Sequence, residues 1–138
     1  MTVRAIVGVA LMLASAACSD EIETPTSATA AGLTTILYSG TLQPRSSRFY
    51  SYTITAAGPV SALLASVERN GVPAANPLEI GIGAPAGTGC AVTMSATVSA
   101  SLIPQLRHDA AVGTYCVRVA DTEGLSAPTT FTIRVIHP

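Results

Sequence analysis

Four kinds of side chain in this sequence have types that can carry chemistry: two histidines, eight carboxylates, three cysteines and four tyrosines. A histidine acts as an acid–base group only where a nucleophile or a second titratable group is brought to it. His108 stands beside Asp109 in a loop-like stretch, and His137 is next to last, where chain ends are commonly loosely held. No serine sits in a Gly-x-Ser-x-Gly elbow. The His108–Asp109 pair therefore reads as a solvated pair at a turn. Glu68 and Glu79 flank the Asn70–Pro77 loop and stand as a candidate glycosidase pair. Side-chain alternation turns Glu79 outward, however, and the remaining acids are scattered. Tyr38, Tyr50, Tyr52 and Tyr115 are candidates for an aromatic sugar platform, but the last three fall on core parities, where packing is expected. The expectation is a chain with no catalytic residue, no cofactor and no metal site, its ligand-binding residues unassigned.

The cysteines are more informative. Cys90 and Cys116 lie within one stretch of candidate strands and, in an exported chain, are expected to form a disulfide. No histidine or further cysteine stands near either, which counts against a metal pair. Cys116 has the parity opposite Tyr115 and Val117, so the bridge is expected on an outer face or at a rim. Cys18 is the odd one. It follows a short positive head ending at Arg4 and the apolar run Ala5–Ala17, which is shorter than the roughly 20 residues a membrane-crossing helix needs. The run fits the apolar region of a signal peptide. Leu13-Ala-Ser-Ala-Ala17-Cys18 resembles a bacterial lipobox, with Ser15 where lipoboxes usually carry Leu. That resemblance implies acylation of Cys18 and anchoring in a membrane. The alternative is ordinary cleavage after Ala16 in an Ala-Ser-Ala pattern. Ser19 resembles the outer-membrane sorting choice of Gram-negative lipoproteins.

These readings divide the chain into a lipoprotein signal peptide over 1–17, forming a helix, a flexible tether over 18–33, and one domain over 34–138. The tether carries Pro25, three acids and many Thr, Ser and Ala, with no apolar periodicity. All seven basic residues are arginines. Leaving out Arg4, Asp20, Glu21 and Glu23, six arginines face five acids with no basic cluster, which excludes nucleic acid as an expected partner. Arg118 and Arg134 sit on outward strand positions and would approach each other if their strands pair.

From Thr34 onward the apolar residues recur with period two, not 3.6. Tyr50/Tyr52/Ile54, Leu78/Ile80/Ile82, Val92/Met94/Ala96/Val98, Tyr115/Val117/Val119 and Phe131/Ile133/Val135 each alternate with polar or small residues. Half-buried antiparallel strands require this. Two further strands are expected near Thr35–Ser39 and Val60–Glu68. Leu102–Ala110 is ambiguous, and Pro104 argues for an edge position there. Turn chemistry separates the runs: Ala57-Gly58-Pro59 dividing a hairpin, Asn70-Gly71-Val72-Pro73 as a tight turn, and Ala84–Gly89 as a loop. About eight short strands predict an all-β antiparallel sandwich, jelly-roll-like in type.

Tyr38-Ser-Gly40-Thr-Leu, Arg48-Phe-Tyr50-Ser-Tyr52-Thr-Ile54, Gly113-Thr-Tyr115-Cys-Val-Arg-Val119-Ala-Asp121 and the closing Phe131-Thr-Ile-Arg-Val together resemble bacterial pre-peptidase C-terminal (PPC-like) domains. The likeness runs over the whole of 34–138. It implies a jelly-roll-like sandwich of the kind appended to secreted enzymes as a non-catalytic accessory, here standing alone in a lipoprotein. Some members of that family bind calcium or polymers. Asp109, Asp121 and Glu123 are too few to carry a calcium site over. An immunoglobulin-like sandwich is the competing fold, but its tyrosine corner puts Tyr two residues before the second Cys, and Tyr115 immediately precedes Cys116. The resulting expectation is a lipid-anchored binding or accessory module of the bacterial cell envelope, at the outer membrane or cell surface. Its partners would be the membrane and an envelope polysaccharide or another envelope protein. The alternatives are a structural envelope lipoprotein, a secreted or periplasmic form, and a hydrolase with an unrecognised site.

Overall fold

The computed structural model describes residues 32–138, which form an all-β sandwich. The signal peptide, Cys18 and almost all of the expected tether lie outside the described residues. Nine strands follow one another: β1 (Thr34–Leu42), β2 (Ser47–Ile54), β3 (Gly58–Arg69), β4 (Val72–Pro73), β5 (Leu78–Ala86), β6 (Gly89–Val98), β7 (Leu106–Ala110), β8 (Gly113–Ala120) and β9 (Thr129–His137). Every pairing is antiparallel. One sheet runs β1-β9-β3, with β7 and the two-residue β4 both beside β3; the other runs β2-β8-β5-β6. Setting aside β4, which accounts for the ninth strand, the orders β1-β9-β3-β7 and β2-β8-β5-β6 are those of a jelly roll, in which the chain repeatedly changes sheet.

That alternation between sheets revises two turn readings. Ala57-Gly58-Pro59 divides no hairpin: β2 pairs with β8, whereas β3 pairs with β9, β7 and β4. Gly-Pro signals a change of direction, but not the sheet that receives the next strand. Ala84–Gly89 is mostly ladder, with Ala84 opposite Ala91, Pro85 opposite Cys90 and Ala86 opposite Gly89, leaving only Gly87-Thr88 as the turn. Pro85 fits because pairing of β5 with β8 ends at Gly83, so no second neighbour needs its missing N–H. Asn70-Gly71 does form a tight hairpin, both residues having positive φ (52° and 75°), as a two-residue primed turn requires. The ambiguous stretch resolves into an irregular segment and then β7 at a sheet edge, with Pro104 outside the strand.

The core lies between the sheets and follows the alternation. Val60, Ala62, Leu64, Val67, Phe131, Ile133 and Val135 of one sheet face Tyr52, Ile54, Leu78, Ile80, Ile82, Val117 and Val119 of the other, all buried. At the β1/β2 margin Tyr38 stacks on Tyr50 (ring centroids 4.7 Å apart), and Tyr50 meets Phe131 at 6.3 Å. Tyr38 donates to the Ser51 carbonyl and Tyr50 to the Ser39 carbonyl, stitching the two sheets together. Gly40 makes room for this, since a Cβ there would stand 2.6 Å from the Tyr50 hydroxyl.

At the far end from the chain termini, buried Asp121 accepts hydrogen bonds from the backbone N–H groups of Arg45, Gly124 and Leu125 at 2.7–2.8 Å. Burial pushes its pKa up, but the amides of Arg45, Leu125, Gly124 and Glu123 outweigh this and hold it below the ordinary carboxylate value. Asp121 thus fastens the β1–β2 turn to the β8–β9 loop, and its acceptor capacity is spent on backbone.

Candidate functional site

The disulfide joins Cys90 of β6 to Cys116 of β8, although β5 lies between those strands in the sheet order. Strands two places apart in a flat sheet are separated by about 9.5 Å, whereas the two Cα atoms are 5.8 Å apart. A bulge at Ile82/Gly83 resolves this by turning the β5–β6 hairpin over the outer face of its own sheet. Gly83 shows how closely: a Cβ there would collide with the Ala91 carbonyl. Gly81 likewise lies beneath the Val92 side chain, 2.7 Å from where its Cβ would be. The bridge is therefore on the outward parity, yet Cys116 is fully buried under the folded-back hairpin.

The candidate acid–base groups do not gather. His108 is in β7 with its ring turned inward against Tyr115 (5.9 Å), while Asp109 is exposed, so the expected solvated His–Asp pair at a turn is not formed. His137 is held in β9, buried against Tyr52 at 5.6 Å, its Nδ1 2.7 Å from the Pro138 carbonyl oxygen; strand pairing with Thr34 secures the chain end. Tyr52 and Tyr115 face each other across β2 and β8, with centroids 6.0 Å apart. The Tyr52 hydroxyl has no hydrogen-bond partner, and burial, followed by the nearby Tyr38 and Tyr115, raises its pKa to about 12. Burial also raises the Tyr38 pKa. All four tyrosines pack in or against the core, as the parities of Tyr50, Tyr52 and Tyr115 indicated for those three.

Glu68 and Glu79 belong to different sheets, and Glu79 forms an ion pair with Arg118 across the outer face of β5 and β8. Arg118 and Arg134 are likewise on opposite sheets and cannot form one patch; Arg134 reaches the Leu102 carbonyl instead. Among the described residues no three His, Cys, Asp or Glu come together in a way that would hold a metal ion.

What the fold does assemble is a hydroxyl lattice on the outer face of β1, β9 and β3. Strand register places Ser39, Thr132 and Ser66 in one cross-strand row and Thr41, Thr130 and Glu68 in the next. These residues, with Gly40 and Phe131, line an open concavity of about 400 Å³. Ser39 and Thr132 share a hydrogen bond of 2.9 Å, and the Thr130 hydroxyl donates to the Glu68 carbonyl at 3.2 Å. Each hydroxyl keeps further capacity, and the Glu68 carboxylate adds an acceptor. The outward parities of Ser39-x-Thr41 and Thr130-x-Thr132 are visible in the sequence, but the pairing that sets them side by side is not.

Comparison of the chain with protein-family models gives no match, and comparison with curated proteins gives none either.

Proposed function

We propose that the chain is a membrane-anchored, extracytoplasmic binding module of the bacterial cell envelope, a PPC-like sandwich that works without catalysis. The observation that carries this reading is the two-row lattice of Ser39, Thr41, Ser66, Thr130 and Thr132 with Glu68. Groups that both donate and accept recur at about 4.8 Å across strands and about 6.8 Å along them. Such a grid suits a ligand that offers hydroxyls at regular intervals, namely an envelope polysaccharide. The Cys90–Cys116 bridge supports export to an oxidising compartment, and acylation of Cys18 would hold the module at its membrane.

The test is retention of the mature chain on insoluble peptidoglycan and on purified envelope polysaccharide. Thr132→Val combined with Glu68→Gln is expected to weaken retention on the polysaccharide at least tenfold while leaving the melting temperature near that of the parent. Equal retention of parent and variant, or no retention of the parent on either polymer, refutes the reading.

A further inference from the structure

The outer face that carries the hydroxyl lattice changes character towards the end of the sandwich where the chain enters and leaves. Below the Ser39–Thr132–Ser66 row, Leu37, Arg134 and Leu63 form the next row, then Thr35, Ile136, Ser61 and Arg107. Leu33, Pro59, Val60, Ser61, Arg107 and Ile136 line a second concavity of about 260 Å³. Arg134 reaches across Leu63 to the Leu102 carbonyl, which ties the segment 99–105 to this face. That segment is also laced to β3, through the Ser101 N–H to the Leu64 carbonyl and through Gln105 to the Leu64 N–H. Leu33, Leu37, Leu102 and Ile103 are each 62–79% exposed. Single exposed aliphatics are ordinary on a protein surface; Leu37 and Leu102 on either side of Arg134, with Ile103 next in the chain and Leu33 beside Arg107 and Ile136, are not.

We infer that the half of this face nearer the chain ends, Leu33, Leu37, Leu102 and Ile103 with Arg107 and Arg134, rests obliquely on the lipid bilayer and dips its aliphatic side chains into the headgroup boundary. The inference rests on the anchored reading above and adds an orientation to it. Two features select lipid as the occupant. Leu33, the second of the described residues, is itself part of the patch, so the stretch that leads back to Cys18 leaves from the surface in question. Charge also suits an anionic headgroup layer: Arg107 and Arg134 stand within the patch, whereas Asp109 and Glu68 stand at its two margins. Anchoring alone would not produce this orientation. The stretch from Ser19 to Leu33, about 15 residues, reaches up to ~50 Å when extended, enough to leave the domain free to turn. Apolar area meeting the boundary region would restrict it. The hydroxyl lattice, farther along the same face, would then lie just above the headgroups, open to polymer at the membrane surface.

The chain contains no tryptophan, so an introduced one is a unique fluorophore. Leu102→Trp and Leu37→Trp place it in the patch. Val72→Trp places it on β4 opposite Arg69, six residues along β3 from the Leu63 row that holds Leu37, or about 20 Å along the strand. Each mature variant is reconstituted in vesicles of phosphatidylethanolamine and phosphatidylglycerol containing a brominated phospholipid, with circular dichroism to confirm the fold. Quenching is expected to be at least threefold stronger at positions 102 and 37 than at 72. Equal quenching at all three positions overturns the inference. The mass of the mature amino terminus reads the anchor separately. An acylated Cys18 with equal quenching overturns the orientation and leaves the anchor standing. An unmodified chain whose Leu102→Trp and Leu37→Trp probes are still quenched more strongly overturns the anchor and upholds the patch. An unmodified chain without selective quenching overturns both.

Discussion

Removing the Cys90–Cys116 bridge should cost this domain much of its stability without altering its sheet pairing. The two cysteines are 26 residues apart, and in the chain-entropy treatment closing a loop of that length restricts the unfolded chain by about 3.5 kcal/mol at 25 °C. A domain of about 105 residues unfolds with an entropy near 0.22 kcal/mol/K, so the loss corresponds to a fall of about 15 °C in melting temperature. Cys116 is wholly buried beneath the folded-back β5–β6 hairpin. Conservative replacement of both residues, Cys90→Ser with Cys116→Ala, keeps an apolar group at the covered site and isolates the cross-link. The assay is thermal unfolding followed by circular dichroism, for the parent with and without reductant and for the double variant. Reduced parent and variant should melt together, both well below the oxidised parent. A shift under ~5 °C would refute the reasoning, because it would mean the cross-link restricts the unfolded chain far less than closing a loop of this length requires.

Gly83→Ala puts a Cβ into the Ala91 carbonyl; backbone has to move, and destabilisation of about 3 kcal/mol is expected in urea unfolding, with far less for Gly89→Ser, where the nearest atom to a Cβ is 3.8 Å away. Asp121→Asn retains the shape but weakens three bonds from backbone amides, at a cost of about 2 kcal/mol in the same assay. Because the folded-state pKa of Asp121 lies below its unfolded value, its contribution is present above the unfolded pKa and is lost as pH falls through the folded one; the parent but not the variant should lose that increment in acid. Tyr52→Phe removes a buried hydroxyl with no partner and should leave stability unchanged or raise it by about 1 kcal/mol. With its pKa raised from 10 to about 12, Tyr52 in the parent favours the folded state fully below pH 10, and that contribution disappears as pH rises to about 12; the alkaline limb of the stability curve should be shallower in Tyr52→Phe.

Side-chain parity carried most of the fold. Ile54, Leu78, Ile80, Ile82, Val117, Val119, Phe131, Ile133 and Val135 were all legible as inward residues, because a two-residue period has one interpretation where one face is apolar. Partners were not legible. Gly58-Pro59 marks a bend equally well whether the next strand joins the same sheet or crosses to the other, and Pro85 reads as a breaker until β8 is known to have ended beside Gly83. The burial of Cys116 had a signal that parity alone misses: Gly81 and Gly83 occupy successive outward positions of one strand, where absent side chains mark a close backbone approach. The hydroxyl lattice needed register, since Ser39, Thr132 and Ser66 are neighbours only after β1, β9 and β3 align.

The division of that outer face into an aliphatic half and a hydroxyl half follows from one extra residue. On β3, Val60, Ala62 and Leu64 face inward with even numbers, yet Val67 faces inward with an odd one. Leu63, between Ala62 and Leu64, points outward and is buried where the segment 99–105 lies against β3. The bulge at Ala65 lets Leu64 oppose Ile133 and Ser66 oppose Thr132, consecutive residues of β9, so the inward set survives while the outward set passes from Ser61 and Leu63 to Ser66 and Glu68. Without it, Ser66 and Glu68 would enter the core and Val67 would be exposed. The same device that keeps the interior apolar along a twelve-residue strand also brings a carboxylate and a hydroxyl to the surface beside Thr130 and Thr132. The lattice is thus a consequence of how the core is completed, and its chemistry can vary with outward residues alone.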